Sequence, residues 1–352
     1  MKFFITFITL IILVLAGKFQ IIDSKCTGAV RTPSFVTVKT SRGDVMGFRE
    51  DHGNDNRKFF YGQGDVFLGV PFVQAPVGNL RFKKPQKLDS FPASPHNATY
   101  LRPACPQQGH ADINEDCLYL NIYTPKASTS EKFPVMLWIH GGSLKTGSAQ
   151  SYATASVIRN FVSRGVIVVT IQYRLGMLGY FTTFTEDFPP NRGALDQVEA
   201  IKFVKDEIRN FGGNPFQITL FGQSAGSASV AAHVFSPLSQ NLFQGAIMES
   251  GSILTCFDGA LGFQNTSVEW ANQLCNFTSQ DWNTLNYTAL KTCLSNMPYS
   301  KWLPLDDNLL LGWQMVEDNY FLPDVPRNLA SKRPKIPVMY GNCRDEWSYF
   351  GE

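Results

Sequence analysis

The rhythm of hydrophobic and polar positions changes twice along this chain. From "SFVTVKTSRGDVMGFRE", which begins at Ser34, to about Tyr123, short β-rich runs alternate with Gly, Pro and Asn turns. From Phe133 the pattern becomes strand, glycine loop and helix. "FPVMLWIH", "GVIVVTIQYR" and "FQITLFG" read as buried strands, and "GALDQVEAIKFVKDEIRNF" places apolar residues at helical spacing. Continuous hydrophobic strands separated by helices predict an α/β architecture, with a mostly parallel sheet covered on both faces. Residues 256–335 are more polar and helical, as expected of an inserted cap, and "IPVMYGN" (336–342) returns to buried-strand character. No repeat or low-complexity linker interrupts this order.

The amino terminus follows a different rule. "MKFFITFITLIILVLAGKFQ" has one early lysine, an apolar run from Phe3 to Ala16, and then small residues. The run is shorter than the ~20 residues needed to span a bilayer. Residues 1–24 therefore read as a cleaved secretory signal rather than an anchor, without a clean A-x-A cleavage site. Seven cysteines fit an oxidising compartment, with one left over. The sequons at Asn97, Asn265, Asn276 and Asn286 agree with a secreted or luminal protein carrying glycans.

Composition narrows the function by exclusion. The 352 residues are 44% hydrophobic and 17% charged, enough for a large core. The formal net charge is +2 with scattered basic residues, so no nucleic-acid or polyanion partner is expected. Aromatics reach 13%, with 28 Phe, and read as core packing. No pattern calls for a metal or a cofactor, and oligomeric state is not legible.

The chemistry concentrates in "ITLFGQSAGSASVAAHVF". A strand is expected to end at Phe221 and a helix to begin near Ala225, with Gly222-Gln223-Ser224-Ala225-Gly226 at the corner. The glycines permit a sharp, strained turn that lifts Ser224 off the sheet, and the following helix N-terminus favours developing negative charge. Upstream, "WIHGGSLKTGS" (138–148) follows a predicted strand. The backbone amides of Gly141, Gly142 and Ser143, with that of Ala225, would form an oxyanion hole in which each donor is worth about 3 kcal/mol of barrier. An ordinary glycine-rich turn is the plainer alternative.

Taken together with "FLGVPFVQAPVGNLRFKKPQ", "EDCLYLNIYTP", "QYRLGMLGYF", "FGGNPFQITLFGQSAG", "MESGS" and "CRDEWSYF", these motifs resemble the type-B carboxylesterases, the family that includes cholinesterases. The resemblance runs from about residue 35 to the end and implies the α/β-hydrolase fold, with residues 25–352 as a carboxylesterase domain shortened at its carboxyl end. It implies that Ser224 is the nucleophile, Glu346 the triad acid, and Ser250 a supporting group near that acid, acting on a small-molecule ester. Resemblance and spacing agree on disulfides Cys105–Cys117 and Cys275–Cys293, leaving Cys26, Cys256 and Cys343 unassigned, the last two as buried thiols.

Three departures from the family pattern shape the expectation. Ser143 stands where a third glycine is usual, and Gln223 where a glutamate is frequent. Only eleven residues separate Cys105 from Cys117, with no tryptophan among them, which removes a cation–π partner for quaternary ammonium. A general esterase is favoured over a cholinesterase.

The base is the gap. Triad partners in this fold run serine, acid, histidine along the chain, yet the last histidine is His233. It lies nine residues beyond Ser224, about 13 Å along a helix, and reads as a core residue. His140 is the nearest surrogate, His110 could line the rim, and His52 and His96 fall in polar, turn-like stretches expected to be solvated. The chain is therefore expected to lack its triad histidine and to be weakly active or inactive, as a fragment or isoform of a longer esterase. A non-catalytic cholinesterase-like binding or adhesion protein is the alternative, which the retained serine and acid disfavour. A misfolded product is the third reading.

Overall fold

The computed structural model describes residues 34–257, 262–306 and 313–346; the expected signal segment 1–24 and Cys26 lie outside them. The first strands are β1 (Ser34–Thr40), β2 (Gly43–Asp51), β3 (Gln63–Pro71), β4 (His96–Asn97) and β5 (Tyr119–Thr124). They are followed by β6 (Phe133–Ile139), β7 (Ile167–Ile171), β8 (Gly213–Gln223), β9 (Gly245–Glu249) and β10 (Val338–Gly341). All ten belong to one sheet, ordered β1-β2-β3-β5-β7-β6-β8-β9-β10 with β4 beside β2.

The change of rhythm read in the sequence is a change of pairing. β1, β2, β3, β5 and β7 pair antiparallel in turn, whereas β7, β6, β8, β9 and β10 pair parallel. Successive strand residues face opposite sides of a sheet. The run IVVTI of β7 is buried at every position, so both of its faces are covered. Between β9 and β10 the chain forms short helices, including Gly262–Cys275 and Thr288–Asn296, joined by the Cys275–Cys293 disulfide. No helix among the described residues is long and apolar enough to cross a membrane.

Register sets where a site can form. Ile139 of β6 pairs with Gly222, Gln223 of β8 with Glu249, and Glu249 of β9 with Gly341 of β10. The parallel strands thus end together, and their outgoing loops leave from one edge, where open α/β sheets bind ligands. The segment after β7 is anchored there by a fully buried ion pair. Arg174 donates from Nε (2.8 Å), Nη2 (2.7 Å) and its amide (3.0 Å) to the Asp196 carboxylate on the helix Arg192–Glu207.

Two expectations are corrected here. β10 forms, but it is exposed rather than buried: Val338, Met339 and Tyr340 are 44%, 65% and 56% exposed. Its apolar residues pair with β9 on one side only, and among the described residues it is the edge of the sheet. His96 is buried, not solvated, because it enters the sheet as β4, where its Nε2–H donates to the Gly69 carbonyl at 2.9 Å.

Candidate active site

The corner after β8 is sharp. Ser224 has φ 56° and ψ −125°, a region that side-chain-bearing residues rarely occupy, and such a residue stores roughly 1–3 kcal/mol of strain. Neighbouring glycines make the turn possible. A methyl on Gly226 would lie 2.1 Å from the Ile139 carbonyl oxygen, and one on Gly251 would lie 2.4 Å from the Ser224 carbonyl oxygen. The Ser224 amide donates to the Glu249 carbonyl at 2.8 Å, and its carbonyl accepts the Ala228 amide at 3.0 Å. Ser227 Oγ closes the corner by donating to the Gly251 carbonyl at 2.6 Å. The helix Ala225–Phe235 then runs under the sheet, buried from Ala225 to Val234 because its residues are mostly small.

The glycine loop lies against this corner. A methyl on Gly141 would sit 3.2 Å from Ser224 Cβ and 2.5 Å from the Gln223 carbonyl oxygen, so the two backbones touch at Gly141. Gly142, Ser143 and Leu144 all have positive φ, at 106°, 54° and 57°. Ser143 therefore takes a left-handed conformation that suits glycine better. The loop's carbonyls are occupied. That of Gly142 accepts the amides of Lys145 and Thr146, that of Ser143 the Trp313 amide at 3.2 Å, and that of Leu144 the Gly176 amide at 2.8 Å. Among the described residues the amides of Gly141, Gly142, Ser143 and Ala225 make no hydrogen bond.

The remaining groups are arranged more loosely. Ser250 follows β9 with φ 54°, and its amide donates to the Gly341 carbonyl at 2.8 Å, linking it to the strand that leads to Glu346. Glu346 is half-buried and accepts the Cys343 amide at 2.7 Å. Among the described residues its carboxylate makes no bond to Ser224 or Ser250. Asp345 pairs with Arg344 at 2.8 Å in solvent. Cys343 is exposed, contrary to the expectation of a buried thiol, because it follows the uncovered edge strand; Cys256 is buried.

None of the five histidines hydrogen-bonds to Ser224 among the described residues. His140 is buried and stacked on Tyr173, with centroids 4.4 Å apart. Its Nδ1 lies 3.0 Å from the Gly141 carbonyl, an acceptor, so Nδ1 carries the proton and Nε2 is a buried lone pair without a partner among the described residues. Burial pushes its pKa down to about 4. His233 is a satisfied core residue, bonded to Ser239 Oγ at 2.9 Å and Gln197 Oε1 at 3.0 Å, with burial lowering its pKa to about 3. His52 pairs with Glu50 at 2.6 Å.

Both disulfides are formed, with Cα separations of 4.9 Å for Cys105–Cys117 and 6.1 Å for Cys275–Cys293. Asn97, Asn276 and Asn286 are exposed, whereas the side chain of Asn265 lies outside the described residues. Sequence reasoning missed the supporting backbone: the β9 strand, the Glu249 carbonyl under Ser224, and the buried amide of Gln107 against Gly147. No motif spacing marks a hydrogen bond to a backbone carbonyl.

Known proteins share this arrangement of sequence. The profile described as the Carboxylesterase family matches residues 34–352. The chain is similar to gut esterase 1 of Caenorhabditis briggsae, 36% identical over 323 residues, covering 89% of this chain and 54% of that protein. It is likewise similar to carboxylesterase 1C of Mus musculus, 38% identical over 313 residues, covering 81% and 54%. Carboxylesterase 1D of Mus musculus is 43% identical over 252 residues, covering 65% and 42%. The chain belongs to the carboxylesterase family, whose fold is the α/β-hydrolase fold. It spans about half the length of these relatives.

Proposed function

We propose that this protein hydrolyses small carboxylic esters by covalent catalysis at Ser224. The observation that carries the reading is the strained Ser224 corner lying against a loop whose Gly142 and Ser143 amides make no hydrogen bond among the described residues. Ser224 Oγ attacks the acyl carbonyl, and the resulting oxyanion is held by the amides of Gly142, Ser143 and Ala225. Collapse expels the alcohol and leaves an acyl-serine, which water hydrolyses. Glu346 is the acid that would orient an imidazole, with Ser250 beside its strand. The short Cys105–Cys117 loop without tryptophan and the neutral Gln223 support a general esterase over a choline esterase. The helices between β9 and β10 act as the cap.

The secretory signal and glycans at the exposed Asn97, Asn276 and Asn286, and at Asn265, belong to the same proposal, which puts the protein in the secretory pathway. Among the described residues no histidine is hydrogen-bonded to Ser224, so slow ester turnover is expected of this chain. Loss of a triad member typically leaves ~10³–10⁴-fold acceleration over water. The test is hydrolysis of p-nitrophenyl acetate by the full chain beside Ser224→Ala. Slow turnover that disappears in Ser224→Ala supports the reading. Equal rates in the two proteins favour a binding role, and fast turnover removes the claim that a base is lacking.

A further inference from the structure

We infer that Gln107 is a positioning residue that holds the Gly141–Gly147 loop in the shape that presents its amides to the Ser224 corner. The inference rests on the proposed role of that loop.

Gln107 sits within the loop closed by Cys105–Cys117 and is almost fully buried, at 4% exposure. Its side-chain amide engages one residue twice. Nε2 donates to the Gly147 carbonyl at 2.8 Å, and Oε1 accepts the Gly147 amide at 2.8 Å. A second Nε2 contact, to the Cys105 carbonyl at 3.1 Å, orients the amide from its own segment. Cys105 and Cys117 are both fully buried, and the amide of Ala104 donates to the Asp112 carbonyl at 3.0 Å, so the support behind Gln107 is itself fixed.

Gly147 is where the glycine loop returns to its own start. Its φ is 103°, and a methyl there would lie 2.4 Å from both the Gly141 carbonyl oxygen and His140 Nδ1. The path from Gly141 through Ser143 to Gly147 is therefore a closed bend, pinned at its exit by Gln107. Within the bend, Ser143 and Leu144 hold left-handed conformations without being glycine. Such residues persist only where surrounding bonds over-determine them. Freeing Gly147 lets the bend relax toward ordinary dihedrals and moves the amides of Gly142 and Ser143. Displacement of a catalytic donor by about 1 Å can reduce rate about 100-fold.

The conservative probe is Gln107→Met, which keeps side-chain volume and removes both hydrogen bonds to Gly147 together with the one to Cys105; Gln107→Glu keeps the acceptor and loses the donor. Two measurements on the full chain separate the clamp from the chemistry. Amide hydrogen exchange of the peptide spanning residues 141–148 reads the bend, with the β7 peptide as internal control. Calorimetric affinity for a short alkyl boronic acid, which adds to a serine hydroxyl as a tetrahedral anion, reads the oxyanion site, with Ser224→Ala as the control.

Gln107→Met is expected to exchange faster in 141–148, to leave β7 protection unchanged, and to bind the boronate about ten- to hundredfold more weakly. Gln107→Glu should recover part of the Gly147 protection but little of the affinity. Unchanged exchange in Gln107→Met overturns the clamp. Faster exchange with boronate affinity within twofold of wild type overturns the positioning role. If wild type and Ser224→Ala bind the boronate equally, the Ser224 reading fails, and the exchange result alone decides whether Gln107 pins the loop.

Discussion

Gly226 and Glu346 stand on segments that leave the same edge of the sheet, yet they meet different surroundings. Around Gly226 the backbone is packed so closely that a methyl has no room, and the Ser224 amide, the Ser227 hydroxyl and the loop carbonyls all have partners. Glu346 follows a four-residue strand whose side chains face solvent, and it accepts a bond from an amide three residues away. The corner's shape is determined by groups from β6, β8 and β9 at once. The Glu346 segment is tied to the sheet by the β9–β10 ladder and the Ser250 amide. Ser224 and Glu346 therefore differ in how firmly the fold fixes them.

The largest test of this contrast is Gly226→Val. The added atoms meet the backbone carbonyls of Ile139 and His140, which cannot swing away as a side chain would. Destabilisation of about 3 kcal/mol is expected in urea unfolding, together with loss of Ser224-dependent chemistry.

A smaller effect comes from pH. His233, in the last turn of the helix Ala225–Phe235, has a folded pKa lowered by burial to about 3, against 6.5 for the free side chain. The unfolded chain binds a proton that the folded chain refuses, so stability is complete above about pH 6.5 and falls as pH drops toward 3. Each pH unit below 6.5 costs about 1.4 kcal/mol for this group. His140 acts in the same direction between about 6.5 and 4. Thermal melts of His233→Gln should show a shallower decline between pH 6.5 and 5 than wild type, and parallel curves would contradict the neutral buried histidine.

The smallest effect belongs to the edge. Met339→Lys, on the exposed β10, should shift the urea midpoint by less than about 0.5 kcal/mol. A loss comparable to that of Gly226→Val would mean that the edge is as constrained as the corner.

The sequence made the corner legible and the edge misleading for related reasons. In "FQITLFGQSAG" an apolar run, two glycines and a small-residue helix all agree, and local agreement of that kind points to one geometry. In "IPVMYGN" the apolar content identifies a strand, but hydrophobicity alone does not say what covers it. His96 was hidden by its neighbours Ser94, Pro95 and Asn97, since nothing local signals pairing with β2. Gln107 carried no signal at all, because a side-chain amide that braces a distant backbone has no spacing rule.

The parallel half of the sheet also bears on the order of folding. The β1–β2 hairpin joins neighbours in sequence, and the Cys275–Cys293 loop closes over 18 positions. β6 meets β8 only after β7 and the helix Arg192–Glu207 have been laid down, and β9 meets β10 across the entire helical insertion. Contacts between distant segments form slowly, because loop closure must precede any gain from pairing. The contact between Gly141 and the Gln223–Ser224 backbone, which sets the glycine loop against the corner, is of this distant kind. Hairpin and disulfide loop should therefore be in place while the serine is still an ordinary alcohol, and capture of a boronate should lag the recovery of helical signal during refolding.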